Sequence, residues 1–237
     1  MNARMKEDRF GPEGGAGIVV APKGAIGAHP FPRLRWLAAA WLAVYLPSYT
    51  VAYGLLNFLF LCNLGVMLTA IGWIAGSRLL VSSQAVAAPV IGLAWALDAG
   101  WRVLSGDFLF GGTAYMWDPQ YPLFTRLLSL YHLAWPLLVV WCVAKVGYDR
   151  RGWALQTVIA AFGLIVGRTL GDAELNINFA FRDPIWSSQI GPGPVHLLVV
   201  LAVLSCIVYG LTHHLLQRAF ASEPTGTGAP EPVSRGR

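Results

Sequence analysis

The sequence predicts an all-α fold, a polytopic bundle of about six transmembrane helices with both termini in the cytoplasm. Three observations lead to this prediction. Of the 237 residues, 56% are apolar and only 12% are charged, whereas soluble domains carry about 25% charged residues. Apolar segments recur at about 20 residues, the length that a helix needs to cross hydrocarbon. The ten Trp and eight Tyr residues suit the membrane–water boundary, where amphipathic rings collect.

The two ends of the chain differ in composition from the body between them. Residues 1–32 are rich in Gly and Pro and lack the apolar core of a signal peptide. The last residues repeat this composition. We therefore predict disordered cytoplasmic tails at 1–32 and 219–237, and one transmembrane domain over 33–218.

Six segments are candidates for spans. They are 34–52, 56–75, 79–97, 123–144, 152–170 and 194–216. The first is the weakest, because Pro47 interrupts it. Its alternative is a helix that lies flat in the membrane interface.

The charges in the connections predict the orientation. With six spans and a cytoplasmic N-terminus, the inner connections carry four basic residues against one Asp. The basic residues are Arg78, Lys145, Arg150 and Arg151. Basic excess in short cytoplasmic loops orients membrane proteins, so we predict a multi-pass protein of the plasma (inner) membrane.

The formal charge of +5 does not indicate nucleic-acid binding. The basic residues are scattered, whereas nucleic-acid sites gather them on one face or in one run. Membrane lipids are the expected partners, and the sequence names no partner protein.

Polar side chains within the spans concentrate near their outer ends. They are Asn57, Cys62, Asn63, Ser129 and His132. At about 1.5 Å per residue, Cys62 and His132 lie roughly 9 and 13 Å below the outer ends of their spans. The inner half is apolar apart from Gln84. Because intramembrane polar groups need partners or a water-filled cavity, we predict an outward-facing polar cavity among spans two to five.

Two long outer loops, 98–122 and 171–193, are expected to roof this cavity. They contain a polar cluster formed by Asp98, Asp118, Asn176 and Asn178. Asp98 and Arg102 are four residues apart and are expected to pair. Three arginines near the outer ends are candidates for binding a lipid phosphate. They are Arg102, Arg126 and Arg168.

Cys62 and His132 are the candidate catalytic pair. A nucleophilic thiolate needs a base, and His132 is the only deep imidazole. Asn57 or Asn63 would donate to an oxyanion, with Ser129 as polar support. The structural alternatives stay open: a small buried thiol that packs, and amides and an imidazole that join helices.

No metal or cofactor is predicted. The sequence lacks HExxH, a Gly-rich phosphate loop and GxSxG. The three cysteines lie in apolar segments without a CxxC motif, so no disulfide framework follows. A haem between His132 and His196 is conceivable, but their unequal depths disfavour it.

Four motifs carry a resemblance to known proteins. They are FLFLCNLGVMLTAIGW, MWDPQYPLFTRLLSLYHLAWPLLVVW, KVGYDRRG and LNINFAF. In this order, over about residues 40–215, they resemble an uncharacterised family of bacterial multispanning membrane proteins. The LCN segment is also similar to YwaF-like integral membrane proteins, whose eukaryotic relatives include membrane acyltransferases with Cys and His in separate spans. A more remote resemblance is to the androgen-induced type of intramembrane lipid hydrolases, which use Thr and His.

This resemblance implies Cys62 as nucleophile and His132 as base. Two functions are therefore weighed. The first is an intramembrane lipid acyl hydrolase or acyltransferase. The alternative is a non-enzymatic membrane protein that binds or transports a lipid or solute, or serves as an accessory subunit.

Overall fold

A computed structural model describes residues 28–220, which form helices and loops without a β-strand. The predicted tails therefore lie largely outside the described residues. The main helices are α1 (Leu34–Tyr53), α2 (Leu61–Ala75), α3 (Arg78–Ser105), α4 (Leu123–Leu128), α5 (Tyr131–Val146), α6 (Gly152–Leu170), α7 (Gly193–Ala202) and α8 (Gly210–Phe220). Helix α4 continues almost directly into α5, and a π-helical turn, Val203–Tyr209, joins α7 to α8.

Four of the described helical segments are long and apolar enough to cross a membrane. They are Arg78–Ser105, Leu123–Val146, Gly152–Leu170 and Gly193–Phe220. Helix α2 is apolar but shorter, at 15 residues. The predicted class, an all-α polytopic membrane protein, is confirmed.

Helix α1 has 20 residues but is not among those four, in line with its prediction as the weakest span. It packs antiparallel along α2. Ala38 and Trp41 lie opposite Ala70, and the Tyr45 hydroxyl bonds Asn63 near the other end. Such lengthwise packing is that of a bundle helix rather than of an isolated interfacial helix.

Helix α3 lies at the centre of the bundle and packs against α2, α5 and α6. Its approach to α5 depends on Gly92. A Cβ atom at Gly92 would lie 2.3 Å from Pro136 Cγ and 2.6 Å from the His132 carbonyl oxygen. The absence of a side chain thus sets the distance between α3 and the start of α5, as small residues do in membrane bundles.

The bundle has two different ends. The loop end carries the connections 106–122 and 171–192, and the turn end carries the short connections 76–77 and 147–151. Both ends of the described chain reach the turn end. His29 Nε2 donates to the Ile74 carbonyl at 3.1 Å, and Tyr148 N–H donates to the Phe220 carbonyl at 3.0 Å. Which side of the membrane each end faces stays a prediction.

The half of the bundle near the turn end is more polar than we predicted from the sequence. Gln84 Nε2 donates to Gln156 Oε1 at 3.2 Å and to Ser83 Oγ at 3.0 Å, and all three residues are buried. These side chains pair between α3 and α6 instead of facing lipid. Polar residues within two separate apolar segments do not indicate in the sequence that they pair with each other.

Candidate functional site

A cavity of about 260 Å³ lies at the loop end, enclosed by α1, α2, α3 and α5. Four of the predicted site residues line it: Asn57, Cys62, Asn63 and His132. Both long loops also contribute to the lining, with Gly112, Tyr115 and Tyr121 from the first loop and Leu175 and Ile177 from the second. The remaining lining is mainly aromatic and aliphatic, so the cavity is less polar than expected.

Cys62 lies in the first turn of α2, whose start is held by Asn178. The Asn178 Oδ1 atom accepts from Leu61 N–H at 2.7 Å. Its Nδ2 donates to the carbonyls of Leu59 and Gly163, at 2.8 and 3.2 Å. Asn178 adopts a left-handed conformation with φ 56°, which Asn tolerates better than most residues. One loop side chain therefore fixes the backbone beside the thiol.

The His132 ring is held in one orientation and one tautomer. Its Nδ1 lies 2.8 Å from the Ser129 carbonyl oxygen. Because a carbonyl only accepts, Nδ1 carries the proton, and Nε2 of the neutral ring carries the lone pair. The ring stacks on Trp95 at 5.1 Å and on Tyr131 at 4.1 Å. Within residues 28–220, no protein group bonds Nε2.

Asn63 joins three parts of the fold. Its Oδ1 accepts from the hydroxyls of Tyr45 and Tyr131, at 2.9 and 2.7 Å. Its Nδ2 donates to the Asn57 carbonyl at 2.7 Å. In contrast, the Asn57 Nδ2 atom is buried and has no partner among the described residues. Asn57 is therefore the more available amide donor at the cavity.

Cys62 and His132 line the same cavity but are not hydrogen-bonded to each other in the described part of the chain. The thiol lies beside the Tyr131 hydroxyl instead. Ser129 is buried outside the lining, with its Oγ 2.5 Å from the Tyr49 hydroxyl. Its contribution to the site is the carbonyl that orients His132.

The three arginines proposed for a lipid phosphate do not line the cavity. Arg102 lies over the Phe108 ring, 4.7 Å from its centroid. Arg126 Nη1 donates to the Met116 carbonyl at 3.0 Å. Arg168 donates to the Ala180 carbonyl at 2.9 Å and lies over the Phe181 ring. Each arginine holds a loop-end segment in place.

The four polar loop residues each order their own loop, apart from Asn178, which also reaches α2 and α6. Asp118 accepts from Gln120 N–H at 2.9 Å, and Asn176 accepts from the N–H groups of Phe181 and Arg182. Each of these three bonds stays within its own loop. Among the described residues, none of the four side chains is hydrogen-bonded to another of the four.

The expected pairing of Asp98 with Arg102 is wrong. Buried Asp98 accepts from the N–H groups of Phe110, Gly111 and Thr113, at 2.7, 3.2 and 2.8 Å. The Thr113 hydroxyl adds a bond at 2.6 Å. Four donors from the following loop satisfy the carboxylate, and no ion pair to Arg102 occurs among the described residues.

His196 is buried rather than exposed at the interface. Its Nδ1 accepts from Ile190 N–H at 3.1 Å, and Nε2 donates to the Phe179 carbonyl at 2.9 Å. Because both ring nitrogens hold the 171–192 loop, neither is free to bind a haem iron. Among the described residues, no three His, Cys, Asp or Glu side chains form a group that could hold a metal ion.

Asp183 stabilises the tip of the same loop. Hydrogen bonds from the backbone N–H groups of Trp186, Ile185 and Ser188, with one from the Ser188 hydroxyl, lower the pKa of Asp183 to about 2. Although the tip is exposed, the carboxylate itself is buried. A carboxylate that accepts several N–H bonds strongly favours its ionised form.

The aromatic side of the cavity was not predicted from the sequence. Tyr45, Tyr49 and Tyr53 follow one face of α1 at intervals of four residues, with neighbouring ring centroids 4.2 and 5.0 Å apart. Tyr53 then contacts Tyr121 of the loop at 4.7 Å. The spacing YLPSYTVAY was the available signal. Burial also raises the pKa of Tyr115, so this cavity-lining hydroxyl stays protonated.

The comparisons with known proteins give no relative. No family model, no curated protein and no solved structure matches this chain. The class established by the fold is therefore an all-α, multi-pass membrane protein. The particular activity rests on the site itself.

Proposed function

We propose that this protein is an intramembrane acyl-transfer enzyme, a lipid acyl hydrolase or acyltransferase, with Cys62 as nucleophile and His132 as base. One observation carries the proposal. Cys62 with its thiol, His132 with a neutral imidazole whose lone pair is at Nε2, and Asn57 with an unpartnered amide line one cavity. Nucleophile, base and oxyanion donor are the three groups that acyl transfer needs.

In the first step, His132 Nε2 takes the thiol proton, directly or through one water. The thiolate attacks the ester carbonyl and forms a C–S bond. Asn57 Nδ2 donates to the oxyanion that develops. Collapse of this intermediate breaks the C–O bond, and the leaving alkoxide receives the proton from His132. The products of this step are a Cys62 thioester and an alcohol.

In the second step, water or an acceptor alcohol loses its proton to His132 and attacks the thioester. The C–S bond breaks, and the Cys62 thiolate regains the proton. Water as acceptor gives a fatty acid and makes the protein a hydrolase. A lipid alcohol gives a new ester and makes it an acyltransferase.

The missing hydrogen bond between Cys62 and His132 is compatible with this mechanism. Catalytic hydrogen bonds are often long without substrate and shorten when it binds. The stacking of His132 between Trp95 and Tyr131 limits rotation of its ring. The thiol and the imidazole therefore come together mainly by rotation of the small Cys62 side chain.

The test is the reaction of the purified protein in lipid nanodiscs with p-nitrophenyl butyrate. We expect a burst of p-nitrophenolate and an acyl adduct on Cys62 by mass spectrometry. Cys62→Ala should abolish both. His132→Ala should slow acylation by about 10²–10⁴-fold, the usual contribution of general-base catalysis. Cys206→Ala, which removes an exposed thiol, is the matched control and should behave as the wild type.

A second candidate is a non-enzymatic protein that binds a lipid or solute in the cavity. The position of the Cys62 thiol beside Tyr131 rather than His132 supports it. Saturable binding of a fluorescent lipid together with the absence of any acyl adduct would favour this candidate and overturn the enzyme.

A further inference from the structure

We infer that a groove between α1, α2 and α4–α5 holds the acyl chain of a membrane lipid, with the chain's carbonyl end at Cys62. This inference rests on the proposed function and specifies its substrate as a long-chain acyl ester. The groove has a volume of about 390 Å³ and is separate from the cavity at the loop end.

The lining of the groove fits a hydrocarbon chain. Leu37, Ala38 and Trp41 come from α1, and Val66, Ala70 and Trp73 come from α2. Residues 127–138 supply the other side with Leu, Ala, Tyr and Trp side chains. Charged residues are absent from this lining. An apolar lining of this kind favours an apolar ligand.

The groove opens onto lipid rather than water. Leu37, Leu127 and Leu130 at its margins have exposed fractions of 56%, 50% and 42%. In a multi-pass protein such leucines contact the hydrocarbon of the bilayer, so the groove continues the lipid-facing surface. The molecules available to fill it at that depth are acyl chains.

The length of the groove matches one leaflet. Its lining along α4–α5 runs from Leu127 to Leu138, which is roughly 16 Å at about 1.5 Å per residue. The hydrocarbon core is about 30 Å thick, so the groove covers about half of it. A chain whose carbonyl lies at Cys62, beside Tyr131, would run parallel to the helices from there to Leu138, roughly 10 Å of this distance at about 1.5 Å per residue.

One face of α2 connects the thiol to the groove. Cys62, Val66, Ala70 and Trp73 are spaced by four, four and three residues, which places them on the same helical face. Three of them line the groove, and Cys62 lines the cavity. A chain lying on this face therefore ends with its carbonyl beside Cys62.

Tyr131 separates the two spaces. It lines the groove, while its hydroxyl bonds Asn63 and lies beside the Cys62 thiol. The neighbouring His132 lines the cavity. In this arrangement the acyl chain passes the side chain of Tyr131, so that its hydrocarbon lies in the groove and its carbonyl reaches the cavity.

The test compares two alanines of the same helix that are both exposed. Ala134 lines the groove, and Ala144 does not. Acylation by p-nitrophenyl palmitate and by p-nitrophenyl butyrate is measured for Ala134→Phe and Ala144→Phe in nanodiscs. We expect Ala134→Phe to slow the palmitate reaction by about tenfold or more, because an ångström of misplacement costs on the order of 10²-fold. The butyrate reaction, and both reactions of Ala144→Phe, should stay at the wild-type rate.

Binding is measured separately in the Cys62→Ala protein with a photoactivatable alkyl phosphatidylcholine. Crosslinks at the α2 or α5 groove residues are expected, and Ala134→Phe should remove them. If these crosslinks form but Cys62 of the wild-type protein is never acylated, lipid binding in the groove is supported and the proposed enzymatic function is contradicted. If p-nitrophenyl palmitate acylates Ala134→Phe at the wild-type rate, the acyl-chain groove is contradicted, while the proposed enzymatic function is still supported.

Discussion

At the residue scale, Asn178 holds the backbone beside the candidate nucleophile in place. Its side chain satisfies one N–H and two carbonyls at the start of α2 and in α6. All three backbone groups lie near Cys62 or the segment before it. Buried backbone groups are almost always paired in proteins, so a loop residue has become part of the support of α2.

Replacement of this residue should therefore be costly. We expect Asn178→Ala to destabilise the protein by about 1–3 kcal/mol, the usual cost of orphaned buried polar groups. It should also raise the alkylation rate of Cys62, because the first turn of α2 loosens. Thermal unfolding in detergent and peptide-resolved alkylation measure the two effects.

Asn176→Ala is the control for this prediction, since the Asn176 side chain bonds only its own loop. It should leave Cys62 alkylation at the wild-type rate. Equal alkylation rates in both variants and the wild type would show that Asn178 does not support the nucleophile.

The sequence predicted part of this site. Depth counted along each span placed Cys62, Asn57, Asn63 and His132 in the outer half of the membrane, and all four line one cavity in the structure. Asn178 was assigned only to a loop cluster. Its bond to Leu61 joins residues 117 positions apart, a relation that spacing along one helix cannot reveal.

At the scale of elements, the packing of α3 on α5 positions the candidate base. Gly92 contacts the carbonyl of His132 and the ring of Pro136 closely enough to exclude a methyl group. His132 lies at the N-terminal end of α5, so a change in this contact moves the imidazole directly.

We predict that Gly92→Ala destabilises the protein and slows acylation of Cys62. A Cβ would overlap backbone and ring atoms of α5, and overpacking typically costs about 1–3 kcal/mol. The matched control is Gly100→Ala in the same helix, where a Cβ meets nothing within 4 Å. That variant should be neutral or up to about 1 kcal/mol more stable. Thermal unfolding and the p-nitrophenolate burst are measured together, and unchanged values for Gly92→Ala would contradict the packing described.

The loop 171–192 should show a pH dependence set by Asp183. Because its pKa is lowered to about 2, the ionised carboxylate stabilises the loop tip fully above the ordinary Asp pKa of about 3.9. This stability is lost as the pH falls toward the folded-state pKa. Hydrogen exchange of the Ile185, Trp186 and Ser188 amides, corrected for intrinsic rates, should show constant protection from neutral pH to about pH 4 and decreasing protection below it.

Asp183→Asn removes the charge but keeps one acceptor oxygen, so these amides should be less protected than in the wild type near neutral pH, and their protection should no longer depend on pH. Asp118→Asn, in the other loop, is the control and should leave them protected. If Asp183→Asn kept the wild-type protection profile, the carboxylate would not be what orders the loop tip.

Among the elements, α1 shows the limit of the sequence prediction. Its Pro47 and mixed composition made it the weakest span, and its alternative was an interfacial helix. Tyr45 and Tyr49, which are buried against α2 and the loop-end residues, decide its place in the bundle. The mean hydropathy of a helix does not predict which of its hydroxyl groups form hydrogen bonds with other helices.

At the scale of the whole molecule, the bundle has a loop end that contains the cavity and a turn end that residues 29 and 220 contact. The charges of the short connections predict that the turn end is cytoplasmic. Glu174→Cys and Arg150→Cys test this, since both positions are exposed and lie at opposite ends. In a Cys206→Ser background, a membrane-impermeant maleimide should label Glu174→Cys in intact cells and Arg150→Cys only after lysis. The reverse order would invert the predicted orientation.

The proposed mechanism requires that Cys62 carry an acyl group from a membrane lipid. Capture of hydroxylamine-sensitive thioesters from native membranes that contain the protein measures this most directly. We predict a fatty acyl thioester on the Cys62 peptide, reduced by about 10²-fold or more in His132→Ala and unchanged in Cys206→Ala. A Cys62 peptide that is never acylated, or is acylated equally with and without His132, would contradict the account.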